Sequence, residues 1–158
     1  MPLQSPSASA IPGATYRRDP AVPPFPDDRP ILVFDGQCVM CSGFARFILR
    51  HDHERRYRFL PAQTQLGTAL YRHYGLDPEN YQTNLLIEDG TAWLRSESSI
   101  RIFAGLGFPW SLVNMSRILP LRLRDRLYEW IARNRFRWFG RQEVCMLGQS
   151  GHEDRFLS

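Results

Sequence analysis

A short apolar run, an Asp-Gly pair and two cysteines spaced C-x-x-C follow one another near residue 35, and this succession constrains the fold most. Residues 31–34 read Ile-Leu-Val-Phe between Pro30 and Gly36, which predicts a buried strand. Residues 38–52 then repeat apolar side chains at helical spacing, which predicts an amphipathic helix. A strand therefore leads through a tight turn into a helix, and Cys38 lies at or beside the start of that helix.

The position of Cys38 at a helix N-terminus predicts a reactive thiol. Unpaired backbone N–H groups and the positive end of the helix dipole favour the thiolate, which is the nucleophilic form. Cys41, one turn further along, is expected to be close enough to form a disulfide and to be more buried. We therefore expect a partly exposed Cys38 to attack a substrate disulfide, and Cys41 to resolve the mixed disulfide.

Two other interpretations of the cysteine pair are open. Cys38 and Cys41 could be half of a zinc site completed by Cys145 and His152, although that spacing has no second paired element. They could also be inert buried cysteines. We favour redox chemistry over both, and we expect neither a metal nor another bound cofactor.

The role of Asp35, three residues before Cys38, is also open. Its carboxylate could accept the Cys41 proton during resolution, or it could oppose thiolate formation at Cys38 by like charge. It could instead accept hydrogen bonds from backbone N–H groups of the turn, as Asp often does. Gly36 is most simply explained by an unusual backbone angle.

Composition narrows the class of protein. With 158 residues, 43% of them hydrophobic and 23% charged, the chain fits one globular domain. No apolar run approaches the roughly 20 residues that span a bilayer. No secretory signal pattern is seen, so a cytoplasmic protein is expected. All 20 basic residues are arginine, so no lysine can serve as a Schiff base, a general base or a phosphate anchor. A net charge of +4 is too small to indicate nucleic-acid binding.

Proline content predicts how the chain is divided. Residues 1–29 hold seven of the 12 prolines and are expected to be a disordered tail with few core contacts. Residues 30–148 are expected to form the domain, and residues 149–158 a second tail. Three cysteines are too few, and odd in number, for a disulfide framework.

Further elements are predicted inside the domain. They are, in chain order, a strand over 57–60, a helix over 64–74 ending at Gly75, a hairpin turning at Asp89-Gly90, a helix capped by Ser96, and C-terminal helices over 110–119 and 123–138. A strand–helix–strand unit favours parallel pairing, and the hairpin adds antiparallel strands. The pattern therefore predicts an α/β fold with a mixed sheet covered by helices.

The segment "VFDGQCVMCSGFARFILRHD" resembles the D-G-x-C-x-x-C signature of the DCC family of thiol-disulfide oxidoreductases, in the thioredoxin-like superfamily. The resemblance continues through "YRFLPAQT", "LLIEDG", "RSESSIRI" and "LRDRLYEWIARNRFRWFGR". It implies a thioredoxin-like mixed β-sheet flanked by helices with a helical C-terminal extension. It also implies dithiol–disulfide exchange with a protein or low-molecular-weight thiol or disulfide, and an electron donor that the sequence does not identify.

The same resemblance implies which residues form the site. Cys38 and Cys41 are its dithiol, and Asp35 belongs to the signature. Thr83 and Asn84 stand where the wider superfamily usually places a cis-proline before the third strand, and the backbone there is expected to dock substrate. Gly36 and Gln37 are also expected to bind substrate.

Two C-terminal features have competing interpretations. Cys145 is a third redox thiol or a buried small hydrophobe, and the second is favoured. The last helix could bind an anionic membrane surface or nucleic acid, but an amphipathic helix with a solvated arginine face and a packed aromatic face is favoured. The residues concerned are Arg122, Arg124, Arg126, Arg133, Arg135, Arg137 and Arg141 with Trp130, Phe136, Trp138 and Phe139.

Overall fold

A computed structural model describes residues 10–13, 15–79, 81, 83–140 and 153–157. The strands are β1 Ala10–Ile11, β2 Ile31–Phe34, β3 Arg58–Pro61, β4 Leu85–Glu88 and β5 Thr91–Leu94. The helices are α1 Val39–His51, α2 Gln65–His73, α3 Arg95–Gly105 and α4 Leu121–Phe139. Three 3₁₀ segments cover Thr15–Arg18, Trp110–Ile118 and Glu153–Arg155.

The strands form one mixed sheet in the order β1-β5-β4-β2-β3. β2 pairs in parallel with β3, because α1 carries the chain back to the same end of the sheet. β4 and β5 are antiparallel and join at Asp89-Gly90, where both residues have positive φ angles of 49° and 73°, as a tight hairpin turn requires. The predicted α/β fold is confirmed, and its arrangement is thioredoxin-like.

The core lies on both faces of the sheet. Along β2, Ile31 and Val33 face one apolar cluster while Leu32 and Phe34 face the other, and all four side chains are buried. The strand is therefore buried on both faces, as its continuous apolar run predicts.

Part of the predicted N-terminal tail packs against the domain. β1 pairs with β5, and Tyr16 and Val22 are buried in the core cluster on one face of the sheet. The Tyr16 hydroxyl donates to Asp27 at 2.6 Å, and Arg17 donates to the same carboxylate. The expectation of few core contacts is therefore wrong for residues 10–22, because Tyr16 and Val22 among the prolines are buried in the core cluster. The predicted domain boundaries stay a prediction.

Residues near the C-terminus also contact the domain. Arg155 is buried, and its guanidinium donates to the carboxylate of Asp52 and to the backbone oxygen of Tyr57. Phe156 stacks on Phe59 with ring centroids 5.5 Å apart. Residues 153–157, which lie within the predicted second tail, are thus held at the free edge of β3.

The last helices differ most from expectation. Residues 110–118 form a 3₁₀ helix, and Ser96 lies inside α3, where its hydroxyl donates to Asp125 at 2.5 Å. Of the α4 side chains expected to form a packed aromatic face, Trp130, Trp138 and Phe139 are exposed. Leu123 and Leu127 on the same helix are exposed too. Among the described residues, no helix has the length and apolar content needed to cross a membrane.

Candidate active site

Cys38 is the N-cap residue of α1. It has extended backbone angles, and its Sγ accepts the backbone N–H of Cys41 at 3.3 Å. No acidic residue lies in the first turn of the helix. Cys38 and Cys41 are not joined by a disulfide, and the two residues approach within 3.1 Å of each other. The predicted turn from β2 into α1 therefore brings the two thiols together at the helix N-terminus.

The two thiols differ in pKa. The side-chain hydrogen bond with Cys41 is the largest of the effects that lower the pKa of Cys38, from 9.0 to about 7. The Cys41 N–H and the charge of Arg135 lower it further, while burial and Asp35 oppose them. The pKa of Cys41 is raised, first by the hydrogen bond with Cys38 and then by burial. The two shifts therefore favour the thiolate at Cys38 and the neutral thiol at Cys41.

Exposure does not follow the expected order. Cys38 is 0% exposed and Cys41 is 4% exposed, so the expectation of a partly exposed Cys38 is wrong. The turn brings the Cys38 N–H to within 3.3 Å of the Asp35 carbonyl oxygen, and α4 reaches the same turn through Arg135. The turn that holds Cys38 is therefore in contact with the C-terminal extension through Arg135.

Asp35 is buried and accepts three hydrogen bonds. Its Oδ1 accepts from the backbone N–H of Gln37 at 3.0 Å and from Gln63 Nε2 at 2.5 Å. Its Oδ2 accepts from Arg135 Nη2 at 3.3 Å. The bond from the Gln37 N–H is the kind that the turn interpretation of Asp35 expects. The other two bonds connect the turn to Gln63, which follows β3, and to Arg135 of α4.

Gln63 and Arg135 are part of the site although the sequence did not indicate them. Gln63 follows β3, and its Oε1 accepts the Gly36 N–H at 3.0 Å while its Nε2 donates to Asp35. The parallel pairing of β2 with β3 is the signal that could have found Gln63, because the C-terminal ends of parallel strands meet at one edge. No comparable signal distinguishes Arg135 from the other arginines of α4.

The four residues expected to bind substrate are partly engaged within the protein. Gly36 and Gln37 donate their backbone N–H groups to Gln63 and Asp35. The Thr83 carbonyl accepts from the Tyr71 hydroxyl at 2.5 Å, and the Asn84 N–H donates to the Tyr128 hydroxyl at 2.8 Å. Their contact with substrate stays a prediction.

A mainly apolar cavity of about 360 Å³ opens beside Cys41 between α1, α3 and α4. Its walls include Phe44, Phe103 and Ile131, and Asn84 and Arg135 supply polar groups. Arg135 Nε is buried, and no hydrogen-bond partner for it is found in the described part of the chain. The cavity therefore reaches Cys41, the partner of Cys38 in the dithiol.

Within the described ranges, no group of three or more metal-ligating side chains is found. Cys145 and His152, which the alternative zinc site requires, lie outside the described residues. The two interpretations of Cys145 therefore stay predictions.

The mixed sheet and the C-x-x-C pair at the start of α1 define a thioredoxin-like dithiol protein. A model of the DCC1-like thiol-disulfide oxidoreductase family matches residues 32–141, and the chain belongs to that family. It is 35% identical over 127 residues to the uncharacterized protein YuxK of Bacillus subtilis (strain 168), a match that covers 80% of this chain and 93% of YuxK.

A second relative is a DCC family protein of Arabidopsis thaliana whose name describes it as chloroplastic. The two chains are 35% identical over 122 residues, which cover 77% of this chain and 71% of the plant protein. No solved structure matches the chain significantly.

Proposed function

We propose that this protein catalyses thiol–disulfide exchange through Cys38 and Cys41. The N-cap position of Cys38 supports this most directly, because its Sγ accepts the Cys41 N–H and its pKa is lowered to about 7. A thiol of that pKa is substantially ionised at neutral pH, and the thiolate is the nucleophile. The family name describes the same chemistry.

The reaction takes two steps. The Cys38 thiolate attacks one sulfur of a disulfide RSSR′, forms a mixed disulfide with RS and releases R′S⁻. Cys41 then gives its proton to the released R′S⁻ or to Asp35 and attacks the Cys38 sulfur, which releases RS⁻ and leaves a disulfide between the two cysteines. The substrate gains the two electrons that the dithiol loses, and an external dithiol returns the pair to the reduced form.

Burial of both sulfurs favours small substrates. Exchange rates depend on access to the attacking sulfur as well as on its ionisation. We therefore expect a low-molecular-weight disulfide such as hydroxyethyl disulfide to be reduced faster than the disulfides of insulin. A reducing cytoplasm is the compartment that suits this activity.

Three single substitutions test the proposal. Cys38→Ser should abolish reduction of hydroxyethyl disulfide, and Cys41→Ser should accumulate a mixed disulfide at Cys38 that mass spectrometry detects. Cys145→Ser is the matched control and should keep full activity. A wild-type protein that exchanges with no dithiol and purifies with stoichiometric zinc would instead be a metal-binding module.

A further inference from the structure

The surface between residues 108 and 139 is unusually apolar. Of the twelve large hydrophobic side chains that are strongly exposed in the described part of the chain, eleven lie in this stretch. Phe108 and Ile118 are each 83% exposed, and Trp130 is 53% exposed. Monomeric proteins rarely leave so many large apolar side chains of one short stretch of chain in water unless that stretch binds something.

The outward half of α4 carries two parallel stripes. At about 100° per residue, the exposed apolar side chains Leu123, Leu127, Trp130 and Trp138 fall within roughly 80° of one another around the helix axis. The rings of Trp130 and Trp138 touch, with centroids 5.0 Å apart. A second stripe beside them is formed by the exposed arginines Arg122, Arg126, Arg133 and Arg137.

The inward half of the helix is already occupied. Ala132 and Arg135 are buried against the domain, and Arg124 pairs with Glu97 of α3 at 3.4 Å. The apolar stripe therefore cannot pack on the domain without giving up these contacts. The 3₁₀ segment before α4 adds the exposed side chains of Leu112 and Met115 to the same stretch of chain.

Charge is concentrated on the same stretch. Residues 108–139 contain seven arginines and two carboxylates, a net charge of +5, whereas the whole chain has a net charge of +4. The rest of the chain is therefore slightly acidic. An anionic partner is favoured, and a second copy of this surface is disfavoured because like charges repel.

We propose that α4 and the 3₁₀ segment before it, residues 108–139, dock on the surface of a membrane that contains anionic lipids. Leucine and tryptophan side chains enter the boundary between headgroups and acyl chains, and the adjacent arginines bind lipid phosphates. The exposed face of α4 is convex and carries tryptophans at its side. Such a surface suits a lipid interface better than it suits a peptide, which would need a groove. This proposal is independent of the redox reaction.

Binding to vesicles tests the proposal. Full-length protein should sediment with vesicles of phosphatidylcholine containing phosphatidylglycerol about tenfold or more tightly than with phosphatidylcholine alone, and high salt should weaken that binding. Tryptophan emission should shift to the blue on binding, and the shift should be lost in Trp130→Phe/Trp138→Phe. The quadruple variant R122Q/R126Q/R133Q/R137Q should lose at least tenfold in affinity, at unchanged circular dichroism.

Arg46→Gln/Arg50→Gln, which removes two exposed arginines from α1, is the matched control and should bind like the wild type. Equal binding to both vesicle types, or none to either, would overturn the proposal. So would a stable dimer in sedimentation velocity that Trp130→Phe/Trp138→Phe dissociates, or binding to an acidic protein that anionic vesicles do not compete away. The salt dependence of wild-type binding decides the question even if the quadruple variant misfolds.

Discussion

Arg135 and Asp35, one hundred positions apart in the chain, form a buried ion pair next to the dithiol, with Arg135 Nη2 and Asp35 Oδ2 3.3 Å apart. Both charges act on Cys38, and the lowering of its pKa by Arg135 exceeds the raising of its pKa by Asp35. The Asp35 carboxylate thus opposes ionisation of Cys38, as expected, and the charge of Arg135 outweighs this effect. Helix α4 therefore takes part in setting the reactivity of a thiol that lies on α1.

Arg135→Gln should raise the pKa of Cys38 above about 7, because the cation is lost while the Asp35 carboxylate stays. The rate of Cys38 alkylation by iodoacetamide, measured against pH, should show a higher midpoint and be severalfold slower at pH 7. The free energy of unfolding should fall by about 3–5 kcal/mol, since one buried charge loses its partner.

Arg133→Gln is the matched control for this change. Arg133 is exposed on the same helix and pairs only loosely with Glu129, at 3.6 Å. The pH midpoint of Cys38 alkylation should stay at its wild-type value. The free energy of unfolding should change by no more than about 0.5 kcal/mol. If Arg135→Gln had the same pH midpoint of Cys38 alkylation as the wild type, α4 would have no effect on the pKa of Cys38.

Asp35→Asn should act in the opposite direction. Removing the anion lowers the pKa of Cys38, so alkylation at pH 6 should become faster than in the wild type. A mixed disulfide formed at Cys38 should also resolve more slowly if Asp35 accepts the Cys41 proton. Alkylation no faster than that of the wild type would show that the charge of Asp35 is not felt at Cys38.

Local patterns predicted the frame of the site. The apolar run, the Asp-Gly pair and the helical spacing placed Cys38 at the start of α1, and Asp89-Gly90 placed the hairpin. These features depend on neighbours in sequence, which is why a single chain reveals them.

Contacts over long sequence separations were not predictable. Arg135 is one of seven arginines in residues 108–139, and only tertiary packing selects it to face Asp35. The complete burial of Cys38 is likewise a feature that its position at a helix start does not reveal. The outward direction of the apolar stripe on α4 could not be predicted either, because helical periodicity identifies a face and not what covers it.

Protein stability should depend on pH through Cys38. Its folded pKa of about 7 lies below the ordinary value of 9.0, so the unfolded chain binds more protons between these values. The free energy of unfolding should therefore rise between pH 7 and 8.5, by about 1.5 kcal/mol. This stabilisation is lost as pH falls through 7, and urea unfolding under a phosphine reductant measures it.

The matched comparison is Cys38→Ser, which has no thiolate at that position. The difference in unfolding free energy between the wild type and this variant should grow with pH over the same window. A constant difference from pH 7 to pH 8.5 would mean that the Cys38 thiol ionises alike in folded and unfolded chains.

Tyr16→Ala should destabilise the protein even though Tyr16 lies in a proline-rich segment. The substitution removes a buried ring from the core and leaves Asp27 without the hydroxyl hydrogen bond of 2.6 Å. Losing a buried aromatic side chain costs about 3–5 kcal/mol. Arg18→Ala, an exposed change in the same 3₁₀ turn, should stay within about 0.5 kcal/mol of the wild type. Equal urea midpoints for Tyr16→Ala and the wild type would mean that the segment does not stabilise the domain.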